Sequence, residues 1–124
     1  MDPIIRRVAV VDDAEPVRLG VARLLRSTGV AVATYGSGPA FLDSLAAGYP
    51  DCVVLDLSMP GMHGFEVLSR IAARDRHVPV VVLTAHDDPG VRERALRAGA
   101  SSFLLKPVED SDLLAAIAAA IAGL

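Results

Sequence analysis

Apolar residues recur along the chain in five short blocks, at residues 8–11, 30–34, 52–55, 80–83 and 103–105. Four blocks are continuous, three of them rich in β-branched side chains, the pattern of parallel strands covered on both faces. The block Val30-Ala31-Val32-Ala33-Thr34 alternates large and small instead and predicts an edge strand. Between the blocks the apolar positions take a helical period. A first helix is predicted over about residues 14–27, with Val17, Val21, Leu24 and Leu25 on one face. Ser37-Gly38-Pro39 opens a second, which carries Phe41, Leu42 and Leu45 and stops at Gly48. A third runs over about residues 64–74 with Phe65, Leu68 and Ile71 inward. Asp88-Pro89 reads as an N-cap followed by proline at the first position of the fourth, which Gly99 closes. The fifth begins in the acidic cluster Glu109-Asp110-Ser111-Asp112, where negative charge favours a helix N-terminus. Five βα units in a row predict an α/β fold, a doubly wound parallel sheet with helices on both faces. Nothing divides the chain, so residues 1–124 are read as one domain.

Composition narrows the function classes. At 124 residues a single domain buries roughly two-thirds of its unfolded surface. The apolar fraction of 52% includes twenty alanines, and no stretch of about 20 strongly apolar residues predicts a membrane span. The opening Met1-Asp2-Pro3 lacks the layout of a secretory signal, and the lone Cys52 lies in an apolar block, so a cytoplasmic setting is expected. A net charge of −3 argues against nucleic-acid binding by this domain itself. The charge is unevenly made: eleven of the twelve basic residues are arginine and one, Lys106, is lysine.

In sheets of this kind, ligands sit beyond the carboxyl ends of the strands. Asp12 and Asp13 follow the first block, Asp56 the third, Thr84 the fourth and Lys106-Pro107 the fifth. An Asp after a strand is commonly a turn former. Three carboxylates, a hydroxyl and an ammonium at one edge form a more specific pattern. Clustered carboxylates raise one another's pKa unless a cation neutralises them, and an all-oxygen set suits a hard ion such as Mg²⁺. Lys106 and Thr84 complete a cradle for phosphate, where a compact ammonium serves better than a guanidinium fork. Asp56, with the turn-prone Leu57-Ser58-Met59-Pro60-Gly61 behind it, is placed to attack a phosphoryl donor and form an acyl phosphate. Asp12 and Asp13 are better placed as ion ligands.

The set Val11-Asp12-Asp13, Asp56-Leu57-Ser58-Met59-Pro60-Gly61, Thr84-Ala85 and Lys106-Pro107 resembles the receiver domain of bacterial two-component response regulators. The segments Val11-Asp12-Asp13-Ala14-Glu15-Pro16-Val17-Arg18, Thr84-Ala85-His86 and Lys106-Pro107-Val108-Glu109-Asp110 are similar to its FixJ type. The resemblance implies a flavodoxin-like (CheY-like) sheet of five parallel strands in the order 2-1-3-4-5 with five helices. It implies that Asp56 accepts a phosphoryl group from a sensor histidine kinase or a phosphotransfer protein. Asp13, Asp56 and the backbone carbonyl of Ser58 would then bind Mg²⁺ (or Mn²⁺) directly, and Asp12 largely through water. Thr84 and Lys106 would each hold a phosphate oxygen, Lys106-Pro107 would be cis, and Phe103 would be an aromatic switch that turns inward as Thr84 moves. Phe103 also reads as an ordinary core side chain. Ser58 and His86 occupy the positions that tune phosphate lifetime: Ser58 is small enough to admit water, and His86 either orders that water or shields the phosphate. His63, His77, Met59 and Met62 are assigned no role.

The same resemblance places kinase docking on the first helix, at Ala14, Glu15, Arg18 and Leu19, and on the loop at residues 107–109. Output would pass through the fourth helix, fifth strand and fifth helix. Arg92, Arg94 and Arg97 crowd the fourth helix, and no charge occurs after Asp112. Ala115, Ala118, Ala119 and Ala122 would face outward, either as ordinary helix formers or as a contact for a second protomer or an output domain. Whether the domain stands alone or belongs to a longer regulator with a helix-turn-helix domain is open at this point. Three alternatives are weaker. An aspartyl-phosphate phosphohydrolase needs an acid/base two residues after its nucleophile, where Ser58 and Ala14 stand, so turnover of an external substrate is not expected. A phosphorylation-independent interaction module has no use for the charged cluster. A nucleotide-binding module lacks its glycine-rich loop.

Overall fold

A computed structural model describes residues 6–58, 64–85 and 88–123. The strands are β1 (Arg7–Val11), β2 (Ala31–Tyr35), β3 (Cys52–Leu55), β4 (Val80–Thr84) and β5 (Ser102–Leu105). The helices are α1 (Glu15–Arg26), α2 (Gly38–Ser44), α3 (Gly64–Ala72), α4 (Val91–Arg97) and α5 (Asp110–Ile121), with a 3₁₀ turn at Leu45–Ala47 after α2. All pairings are parallel, in the order β2-β1-β3-β4-β5. The expected class and order are therefore borne out.

Because successive strand residues point to opposite faces, the continuous apolar blocks divide into two cores. Ala9, Val11, Val53, Leu55, Val80, Val82 and Phe103 pack under Phe41 and Leu42 of α2, Val67, Leu68 and Ile71 of α3, and Ala95 of α4. Val8, Val10, Cys52, Val54, Val81 and Leu83 pack under Leu25 of α1 and Leu113 and Ile117 of α5. Every residue of β3 and β4 is buried, as strands with neighbours on both sides and helices on both faces require. β2 is half-exposed throughout, as its alternation predicts for an edge. β5 is the other edge. Its continuous block predicts burial on both faces, yet only Phe103 is buried and Leu105 is exposed, because one strand flank and part of its face meet no partner strand. Burial pushes the Cys52 thiol up to about 12, so it stays protonated.

The start of α2 follows its cap. The Ser37 side chain accepts from the Ala40 N–H at 3.2 Å, as an N-cap should. α3 ends two residues short of the expected 74. The start of α4 needs a correction. Asp88-Pro89 is not its cap; the Val91 N–H donates to the Asp88 carbonyl at 3.1 Å, and Gly90 takes φ 85°, ψ −14°. That is a type II turn, with proline at its second position and glycine at its third, and the helix starts only after it. Exposed Ala115, Ala118, Ala119 and Ala122 line the outer face of α5, as its period predicts. No helix of the described residues is long and apolar enough to cross a membrane.

Candidate phosphoacceptor and cation site

Parallel strands all end at the same edge of the sheet, and the site is what those ends carry. β1 delivers Asp12 and Asp13, β3 Asp56, β4 Thr84 and β5 Lys106. Asp12 and Asp56 are buried at 3% and 5% exposure, while Asp13 is exposed. Oxygens of the three carboxylates lie within 4.8 Å of one another. Lys106 Nζ donates to Asp12 Oδ2 at 2.9 Å and stands 3.8 Å from Asp56 Oδ2. The single lysine thus rests mainly on Asp12. Its backbone N–H donates to the Thr84 carbonyl at 2.8 Å, and the Lys106-Pro107 peptide is cis, as expected.

Two of the three carboxylates are held locally. Asp12 Oδ1 accepts from the Ala14 N–H at 2.9 Å, and Asp56 Oδ1 from the Ser58 N–H at 3.1 Å, two turns of the Asx kind. The Asp56 N–H donates to the Val11 carbonyl at 3.0 Å, which locks the two acidic turns side by side. Thr84 is fully buried, and its hydroxyl lies 3.4 Å from that of Ser58. Burial pushes the Asp56 carboxyl above its ordinary value of 3.8. The Ser58 N–H and Lys106 pull it down; Asp12 and Asp13 add to the upward push. One ammonium faces three carboxylates, so the cluster carries excess negative charge in a partly desolvated setting. With only oxygen donors on offer, these residues fit a hard divalent cation.

Residues 8–118 match the response regulator receiver domain family. The chain belongs to that family. Over 117 residues it is 42% identical to the transcriptional regulatory protein FixJ of Azorhizobium caulinodans, an alignment covering 92% of this chain and 54% of that protein. The crystal structure of FixJ-N superposes with a TM-score of 0.89 at 36% identity, covering 100% of this chain and 98% of that one. A response regulator receiver protein from Burkholderia phymatum gives 0.83 at 48% identity, covering 94% and 95%. The resemblance to the FixJ type is borne out. The receiver domain spans about half the length of the curated relatives it matches.

Of the receiver's expected site residues, Asp12, Asp13, Asp56, Ser58, Thr84 and Lys106 come together. Phe103 is buried at 7% exposure in the core beneath α2, α3 and α4. His86 lies outside the described residues, as do His63, Met59 and Met62. His77 is exposed between α3 and β4, away from the cluster. Sequence reasoning missed two supports. A Cβ on Gly64 would fall 2.3 Å from Leu57 Cα and 2.7 Å from the Asp56 carbonyl oxygen, so only glycine lets α3 start against the Asp56 turn. Arg18 turns its guanidinium onto the Asp12 carbonyl at 2.8 Å. The Gly64 signal was available as a glycine opening a helix; the Arg18 contact spans an irregular turn that no period encodes.

Proposed function

We propose that this receiver domain, in the cytoplasm, takes a phosphoryl group onto Asp56 from the phosphohistidine of a sensor histidine kinase or a phosphotransfer protein. The supporting observation is the placement of a buried carboxylate beside two further carboxylates and the chain's one lysine, 3.8 Å from Asp56. An Asp56 carboxylate oxygen forms the new P–O bond, the P–N bond to the kinase imidazole breaks, and the imidazole nitrogen keeps that electron pair. Burial makes Asp56 a more basic nucleophile than an exposed carboxylate. Asp13, Asp56 and the Ser58 carbonyl would hold Mg²⁺ or Mn²⁺, with Asp12 acting through water. That cation, when bound, supplies positive charge against the transferring phosphoryl oxygens. Lys106 moves from Asp12 to one phosphoryl oxygen, and the Thr84 hydroxyl leaves Ser58 for another. No acid/base stands two residues after Asp56, so the acyl phosphate is lost slowly and no external substrate turns over. Ser58, and His86 by its position, set that lifetime, and Phe103 follows Thr84 as the switch.

Three large apolar side chains are exposed among the described residues: Leu19, Leu96 and Leu105. They mark two partner surfaces. Leu19 lies on α1, and a groove of about 500 Å³ beside that helix is lined by Pro16, Val17 and Gly20 with Pro107 and Val108. This groove opens beside Lys106 and suits the helix that bears a kinase histidine. Leu96 of α4, Leu105 of β5 and the exposed alanines of α5 are read as the output surface, which receives a second protomer or an output domain once Asp56 is phosphorylated.

Mass spectrometry after incubation with Mg²⁺ and acetyl phosphate tests the acceptor. A phosphoryl mass increment in wild type and none in Asp56→Asn is expected; an increment retained by Asp56→Asn, or none in wild type with any donor, overturns the reading. Sedimentation of the two forms tests the output face, with dimers expected only after phosphorylation. Monomers at high concentration in both forms leave the output domain as the occupant.

A further inference from the structure

Asp12 has every polar group engaged. Its N–H donates to the Tyr35 carbonyl at 3.1 Å, Oδ1 accepts from Ala14 and Oδ2 from Lys106. Its carbonyl accepts from Arg18 Nη1 at 2.8 Å, a charge-assisted bond. That carbonyl belongs to the peptide joining Asp12 to Asp13. Fixing the peptide plane fixes where the exposed Asp13 side chain begins. The guanidinium reaches this point by crossing Gly36, just after β2, where a Cβ would stand 3.2 Å from Nη1 and 3.8 Å from Cζ. Arg18 therefore sits half-buried in a slot between two loops at the carboxyl edge, rather than waving from the surface of α1.

We infer that Arg18 is a positioning residue for the cation, holding the Asp12–Asp13 peptide so that Asp13 is presented in a fixed direction, and that Gly36 keeps the slot open for it. The inference rests on the proposed cation site. Its physical basis is the role of groups behind a metal's ligands: they orient the ligand, and losing one typically weakens binding about 10-fold or more. Arg18 never touches the phosphoryl group, so its effect is confined to cation affinity.

The chain has no tryptophan to report binding, so Mn²⁺ affinity is read from the free Mn²⁺ signal by electron paramagnetic resonance on the full chain. Arg18→Met is expected to weaken Mn²⁺ binding about 10-fold, with the ion-free melting temperature within about 4 °C of wild type. Labelling by acetyl phosphate would need more Mg²⁺ and would return to the wild-type rate at saturation. Arg18→Lys keeps a donor and recovers part of the affinity. Gly36→Ala leaves the arginine in place but pushes it by a few tenths of an ångström, and a few-fold weaker binding is expected; it carries the test if Arg18→Met does not fold. Equal Mn²⁺ affinity in wild type and both Arg18→Met and Gly36→Ala overturns the inference. So does a labelling deficit that saturating Mg²⁺ does not repair. A wild-type protein that binds neither ion overturns the cation reading and this inference with it.

Discussion

Asp12 and Lys106 meet across 2.9 Å, yet the two sides of the sheet that supply them are held differently. On the acidic side, β1 and β3 are central strands, and their turns are tied by the Asx contacts, by the bond from Asp56 to Val11 and by Arg18. On the other side, Lys106 follows an edge strand of which one residue is buried, and its ammonium hangs on a flexible stem. The contrast assigns two jobs. The side that would hold a cation is preformed, and the side that would register a phosphoryl group is next to the exposed Leu105 and the α4 and α5 surface. A displacement of Thr84 and Lys106 can reach that surface while the backbone turns that carry the carboxylates stay in place.

Lys106→Met breaks the comparison most directly. It removes the charge offered to the phosphoryl oxygens, and labelling by acetyl phosphate is expected to slow about 100-fold. The same change takes a competing cation off Asp12, so Mn²⁺ affinity is expected to rise. The opposite pattern from Arg18→Met, rate lost without loss of affinity against affinity lost without loss of the saturated rate, is what two separate jobs require. Weaker Mn²⁺ binding in Lys106→Met would show that the halves are one unit.

Asp56→Asn gives a smaller effect, on stability. Burial raises the Asp56 pKa in the fold, so the protonated form is favoured there over the unfolded chain. Its contribution is fully present below the ordinary value of 3.8 and is lost as pH rises through the raised value. In ion-free buffer near neutral pH, Asp56→Asn should therefore be more stable than wild type, by about 1 kcal/mol or roughly 4 °C. The difference should shrink toward zero as pH falls below the ordinary value, and added Mg²⁺ should reverse it by stabilising wild type alone. Paired thermal melts across pH check this; a gap that stays constant with pH would place its origin elsewhere.

How much of this was legible depends on the length scale of the signal. The apolar blocks locate all five strands, and the polar residues after four of them, all but the edge block at 30–34, locate the site, because parallel strands must end together. Period also identifies the outer face of α5. What escaped is irregular. Asp88-Pro89 resembles a cap until Gly90 is weighed, since a left-handed residue in third place turns the same letters into a type II turn. Gly64 and Arg18 support the Asp56 and Asp12 turns through backbone contacts, and such contacts follow from three-dimensional approach rather than spacing. The burial of β5 was misjudged because an apolar block does not say how many neighbours the strand will have.

The smallest expected effect separates the arginines of α4, which charge counting treats alike. All three are exposed, but Arg94 alone among them places its guanidinium carbon over the Phe65 ring on α3, 3.9 Å from its centre. Phe65 follows Gly64, whose backbone lies against the Asp56 turn, so the stack joins α4 to the segment beside the acceptor. Arg94→Ala should cost about 0.5 kcal/mol, near 2 °C. Arg92→Ala and Arg97→Ala should leave thermal stability unchanged and act only on phosphorylation-dependent association, where their charge meets a partner. Melting temperatures and sedimentation of the three variants decide it. Equal melting temperatures would mean that Arg94 belongs with its neighbours on the partner surface and does not join α4 to the acceptor side.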